Sequence, residues 1–203
     1  MADRVSQDRT ALDKLLDSTL LGHVGFVTED GQPFVLPIAI ARDGDDVLLH
    51  GSTGSRWLRL IAQGIPVSLA VTELDALVVA RSAFESSMRY RSAVLFGRCT
   101  QLADDEKVRA LDVLTDHLIP GRTAEVRRPR PKELAATLVL RLHVEDFSIK
   151  IAQEWPDDPD DDVAGPAWAG VLPKRTGYAD AWPAPDLTEG IEPPESVRRL
   201  LAN

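Results

Sequence analysis

The stretch GHVGFVTEDGQPFVLPIAIARDGDDVLLH (residues 22–50) decides the fold class. It holds three short apolar runs, Gly22 to Thr28, Phe34 to Ala41 and Val47 to His50. Between them stand Glu29-Asp30-Gly31-Gln32 and Arg42-Asp43-Gly44-Asp45. An Asp-Gly pair between apolar runs favours the positive φ of a tight hairpin turn. Short runs joined in this way predict a meander of antiparallel strands.

Working outward, Leu12, Leu15, Leu16 and Leu20 share one helical face, which predicts a helix over 8–20 with Ser6 as its N-cap. After the meander a helical pattern begins near Ser55, with Trp57, Leu60 and Ile61 on one side, and Gly64 followed by Pro66 stops it. Pro66 to Thr72 and Ala76 to Ala80 read as two strands, and Tyr90 to Leu102 as a longer one. Gly97 within it marks a bulge or a close backbone approach. Val108, Leu111, Leu114 and Leu118 form the stripe of a helix over 104–119, which Pro120-Gly121 ends. The final strand spans Leu138 to Ile151, with Leu138, Leu140, Leu142 and Val144 on one face. The pattern predicts a mainly β fold with α decoration: a six- to seven-stranded antiparallel barrel with three to four peripheral helices.

The chain has 203 residues, 44% of them hydrophobic, and a net charge of −9. That balance argues against a duplex-DNA clamp, which needs positive charge against phosphate. Cys99 is the only cysteine, so neither an internal disulfide nor a thiolate metal site can form. The sequence has no apolar signal core and no run of about 18 apolar residues, so a cytoplasmic protein with no membrane or nucleic-acid partner is expected. The charge is unevenly placed. Residues 153–203 hold 11 acids against 4 lysines and arginines, with 8 of the 14 prolines and 3 of the 4 tryptophans. The chain divides into a body over 1–152 and an acidic, Pro- and Trp-rich arm over 153–203, expected to pack on the barrel or on a partner subunit.

Two segments can carry chemistry. In His50 to Arg56, small residues let a ligand approach the backbone, while Ser52, Thr53 and Ser55 offer hydroxyls and Arg56 a cationic fork, a set suited to phosphate. An ordinary Ser/Thr-capped helix with a surface arginine has the same pattern. The second segment, Ala80 to Ser92, carries Arg81, Arg89, Tyr90, Arg91 and Ser92, which suit an anion or the polar edge of a flavin; taken alone, an exposed hairpin connection with solvated arginines is the commoner meaning of such a pattern. His23, His117 and His143 lack metal spacing, and no nucleophile elbow is present.

The order of GQPFVLP (31–37), LHGSTGSR (49–56), ARSA (80–83), YRSAVLFG (90–97) and WAGVLP (168–173) resembles the flavin-nucleotide-binding proteins of the pyridoxamine-phosphate-oxidase-like, FMN-binding split-barrel superfamily. The branch is the one that also holds nitroimidazole-resistance proteins, and the likeness runs from about residue 10 to 175. The resemblance implies a Greek-key split barrel, a homodimer and FMN at the interface. It implies that Pro37 and Ile38 pass the isoalloxazine ring and that Ser52, Thr53, Ser55 and Arg56 hold the phosphate. It also implies that Tyr90, Arg91 and Ser92 reach the ring's polar edge or the ribityl chain, that His50 lies near the flavin, and that Trp168 covers it, with Arg81 counted among the cofactor-binding candidates.

Two departures count against vitamin B6 oxidation. Trp57 stands where the true oxidases carry lysine after the Ser-Arg pair, and no C-terminal Arg-x-His is present. The readings left open are a flavin-dependent oxidoreductase acting on a small organic molecule, a non-catalytic flavin-binding or sensing protein, and a haem-binding protein on the same barrel.

Overall fold

A computed structural model describes residues 5–202. The first helix, α1 (Arg9–Ser18), is capped by Asp8, whose carboxylate accepts the Ala11 N–H at 3.1 Å. The expected cap, Ser6, lies two residues too early and pairs with Ile149 as part of a short strand, β1 (Val5–Ser6). The meander forms as β2 (Leu21–Val27), β3 (Pro33–Asp43) and β4 (Asp46–Ser52). Its turns hold Gly31 at φ 84° and Gly44 at φ 62°, the left-handed conformation that favours glycine. Helix α2 (Arg56–Ala62) follows and ends before Gly64, at φ 80°.

The next two expected strands are a single one, β5 (Pro66–Val79). The polar break that separates them in sequence is absorbed as a bulge at Asp75, where the register shifts between Leu74 and Ala76. Both halves pair with one long partner, β6 (Ser87–Gln101), so the ladder continues past the break. Gly97 keeps regular pairing with Val67; its need is a close approach, since a Cβ there would lie 2.9 Å from Leu142 Cδ1.

Helix α3 (Asp104–Leu118) buries Lys107, Ala110 and Leu114, while Val108 and Leu118 stay half-buried. The helix is turned from its apolar stripe toward Lys107, whose stem packs inside while Nζ meets Asp104 at 2.8 Å. After the short α4 (Pro131–Ala135), the expected final strand is a hairpin, β7 (Thr137–His143) and β8 (Asp146–Ala152). Val144 at the turn is buried, so the inside–outside alternation runs through the reversal and hides it. The chain then forms α5 (Asp160–Val163), β9 (Gly170–Pro173) and α6 (Glu195–Leu201).

The nine strands run in the order β1-β8-β6-β7-β4-β3-β2-β5-β9, and β5 also pairs with β6, which closes a six-stranded ring. The ring is split. One edge of β6 is divided between β8 (Tyr90 to Phe96) and β7 (Cys99 to Gln101). One edge of β5 is divided between β2 and β9. Inside, Leu12, Leu15 and Leu16 of α1 pack with Val24, Leu49, Leu69, Leu95 and Leu140. Outside, α3 covers Ala41, Leu48 and Val139. Strand β4 is thus buried on both faces, which explains the unbroken Val47-Leu48-Leu49 run. The outer face of the β2, β3 and β6 region is open, with Leu21, Val27, Val35 and Phe96 each 45–69% exposed.

Candidate functional site

The β4–α2 turn is built by its own small residues. Ser52 Oγ accepts the Gly54 N–H at 3.1 Å, and Ser55 N–H donates to the Ser52 carbonyl at 2.9 Å. Thr53 is tied to the end of α4, with both its N–H (2.9 Å) and its hydroxyl (3.3 Å) directed at the Ala136 carbonyl. Ser55 caps α2 through its backbone only, so its hydroxyl makes no capping bond. Arg56 is exposed and forms no ion pair or side-chain hydrogen bond with any described residue. His50, opposite Val139, has a buried Nδ1 with no partner, and burial lowers its pKa. Of the β3 residues, Pro37 is exposed opposite His23, whereas Ile38 is in the core.

The second segment has a different character. Arg81 is bound to the arm: its N–H donates to Asp158 Oδ1 at 2.8 Å and its Nη1 to Oδ2 at 3.0 Å. Arg91 grips Asp75 with two prongs, Nη2 to Oδ1 at 2.8 Å and Nε to Oδ2 at 3.0 Å, which raises the guanidinium pKa. The bulge aims that carboxylate, since the extra residue turns its side chain out of the regular alternation. Tyr90 lies under Lys150 Nζ at 5.3 Å, and Ser92 pairs with Thr72 and Lys150. Trp168 is 63% exposed and lies on Gly170, where an added Cβ would stand 2.8 Å from its ring.

One chain therefore does not bring the candidate residues together. A cleft of about 1010 Å³ between the β2–β3 turn and α2 includes Arg56 but none of the second segment. A smaller one of about 460 Å³ holds Arg91 with Arg89, Asp75 and Trp155. Sequence reasoning passed over Arg59, which lies three residues from Arg56 on the same helix face, and over Phe26 and Phe34, a cross-strand pair. It also passed over Trp155, which carries Arg89 over its ring at 4.8 Å. Among the described residues, three buried side-chain nitrogens lack a partner: His50 Nδ1, Arg81 Nε and Arg89 Nη2. All three lie in the segments singled out from sequence. No group of histidine, cysteine and acidic residues suited to a metal is present among the described residues, and no helix there is long and apolar enough to cross a membrane.

Residues 8–151 match the family described as pyridoxamine 5'-phosphate oxidase. The chain belongs to this family. Within it, the chain is 50% identical to the FAD and heme binding protein from Mycobacterium smegmatis, over 98% of this chain and 97% of that one, with a TM-score of 0.93. It is 34% identical to the flavocytochrome Anf3 from Azotobacter vinelandii, over 97% and 92% of the two chains, with a TM-score of 0.87. A candidate 5-nitroimidazole antibiotic resistance protein from Bacteroides thetaiotaomicron shares the fold at 20% identity, 72% and 86% coverage and a TM-score of 0.61. No curated protein matches the chain.

Proposed function

We propose that this family member is a flavin-binding redox protein that acts as a homodimer in the cytoplasm on a small organic molecule. The observation that carries the reading is the 50% identity, across nearly the whole chain, to a protein named for binding FAD and heme. The local geometry agrees. Arg56 forms no ion pair at contact distance and follows Ser52 and Ser55 in the same turn, and a guanidinium with nearby hydroxyls is the donor set a flavin phosphate requires. The flavin is read here as FAD, the form named for that relative, in place of the FMN implied by the sequence resemblance. Bound flavin supplies the electron-transfer chemistry, and the chain's own residues bind, orient and shield it. The homodimer reading follows from the separation of the two candidate segments within one chain and from the open apolar face of Leu21, Val27, Val35 and Phe96. A partner copy brings the Arg89–Arg91 segment to the β4–α2 turn.

A second reading, that the protein also carries haem, is favoured by His50. His117 Nε2 contacts the Thr19 carbonyl, His143 Nδ1 contacts Asp46, and His23 is exposed, whereas His50 keeps a buried, unpartnered nitrogen. Its lowered pKa keeps the imidazole neutral, the form that ligates iron. The two relatives named for heme and as a flavocytochrome add to this reading.

The test is the absorption spectrum of the purified full chain, with the released cofactors identified and the molecular mass measured in solution. Flavin bands, a Soret band and a dimer mass are expected. Arg56→Ala weakens flavin binding by about 1.5–3 kcal/mol, the worth of a charge-assisted hydrogen bond. His50→Ala removes the Soret band and keeps the flavin. A colourless protein that takes up no added flavin ends the flavin reading, and a Soret band unmoved in His50→Ala ends the assignment of His50.

A further inference from the structure

We propose that the cleft between the β2–β3 turn and α2 receives the adenosine diphosphate end of a dinucleotide. The inference rests on the flavin reading above and extends it to a second subsite. Phe26, Phe34 and Trp57 form a stack along the cleft wall. Phe26 and Phe34 centroids are 5.4 Å apart with planes 10° from parallel, and Phe26 and Trp57 are 6.4 Å apart at 15°. The inner ring, Phe26, is buried at 5% exposure, while Phe34 is 40% exposed, so the stack is open at its outer end. A flat heteroaromatic base extends such a stack, and base stacking on aromatic side chains is tolerant of base identity.

Two cations line the same cleft. Helix α2 contributes Arg56 and Arg59, at i and i+3 of one face, and its C-cap contributes Gln63. Neither arginine comes within ion-pair or side-chain hydrogen-bond distance of a described acid, although Glu29 and Asp30 line the same cleft and the Arg56 charge acts on Asp30 from farther off. Eleven other arginines form ion pairs with carboxylates. Arg89, Arg98, Arg130 and Arg175 form none among the described residues, and what sets Arg56 and Arg59 apart is that both line one cleft beside an aromatic stack, a place for an anion joined to a ring. Asp30 is held ionised by the Thr28 hydroxyl that donates to it, which keeps an acceptor ready for ribose hydroxyls. The volume, about 1010 Å³, suits a nucleotide-sized group. Arg56 belongs both to the β4–α2 turn and to this cleft, so a ligand whose first phosphate lies at the turn reaches the cleft with its second.

This chemistry is shared by FAD and by a nicotinamide dinucleotide, and the experiment separates them. Full-length protein stripped of flavin is titrated with FAD and with FMN, following flavin fluorescence, as wild type, Arg59→Glu and Phe34→Ala. Circular dichroism checks that each variant is folded. FAD is expected to bind at least about ten-fold more tightly than FMN to the wild type, with the preference lost in both variants and FMN affinity unchanged. If the variants spare the FAD-to-FMN ratio but weaken NADH or NADPH binding to the flavin-loaded protein, the occupant is the nicotinamide dinucleotide. If they affect none of these, the proposal is overturned while the flavin reading stands. If no flavin binds at all, the flavin reading falls, and calorimetric titration with ADP decides this one: binding lost in Arg59→Glu sustains the cleft, and no binding overturns it.

Discussion

Replacing Asp158 by alanine tests what holds the arm on the body. The Asp158 side chain is fully buried and accepts two bonds from Arg81, one from the backbone N–H at 2.8 Å and one from Nη1 at 3.0 Å. Alanine leaves that N–H without an acceptor, at about 1–3 kcal/mol. It also leaves a guanidinium whose Nε already lacks a partner. Breaking a buried pair by removing one member costs about 3–5 kcal/mol, and the 27% exposure of Arg81 lets water recover part of this, so about 3 kcal/mol is expected. The loss is local. Past β8 the arm passes Asp158 and returns as β9 against Ala76 to Val79 of β5. The arm's open population therefore rises by roughly a hundred-fold. Native-state hydrogen exchange at the amides of β9 and Arg81, with limited proteolysis between residues 154 and 169, reads this directly. Asp158→Asn keeps an acceptor for the N–H and should cost about 1 kcal/mol. Unchanged protection in Asp158→Ala, or equal losses in the two variants, refutes the reasoning.

Gly22→Ala should lower stability by about 1–3 kcal/mol in urea unfolding, because its Cβ would stand 2.7 Å from Leu69 Cδ1 and 3.1 Å from Ile40 Cγ2, both in the core; an unmoved midpoint would show that the core has slack. Burial pushes the Cys99 thiol up to about 12, so it should resist a thiol-specific reagent at mild alkaline pH and react only after denaturation. The Arg127 hydrogen bond to Glu133, with that from the Arg130 N–H, lowers the carboxyl from 4.5 to about 2. Because the folded value is the lower one, its contribution is present above pH 4.5 and lost as pH falls toward 2. An NMR titration of Glu133 should show that low midpoint, and Arg127→Ala should bring it back toward 4.5.

The meander, its two glycine turns, the Leu12-Leu15-Leu16 face of α1 and the stop of α2 at Gly64 were all legible, because turn conformation and facial periodicity are local properties of the chain. The two errors in strand bounds share one cause. The Asp75 bulge was read as a strand end and the Val144 turn as continuous strand, because a periodic pattern records burial and not the direction of the backbone. The arginines show the same limit more sharply. In sequence Arg56, Arg59, Arg81 and Arg91 are alike; in the fold Arg81 meets an acid 77 positions away and Arg91 meets one across a bulge, while Arg56 and Arg59 are left facing a cleft. From the order of its motifs alone the chain could be assigned to the split-barrel family, and two segments stood out as candidates for its chemistry. Which arginines meet a carboxylate and which line a cleft was settled by the fold, since charge pairing depends on distances through space that the return of a distant segment sets.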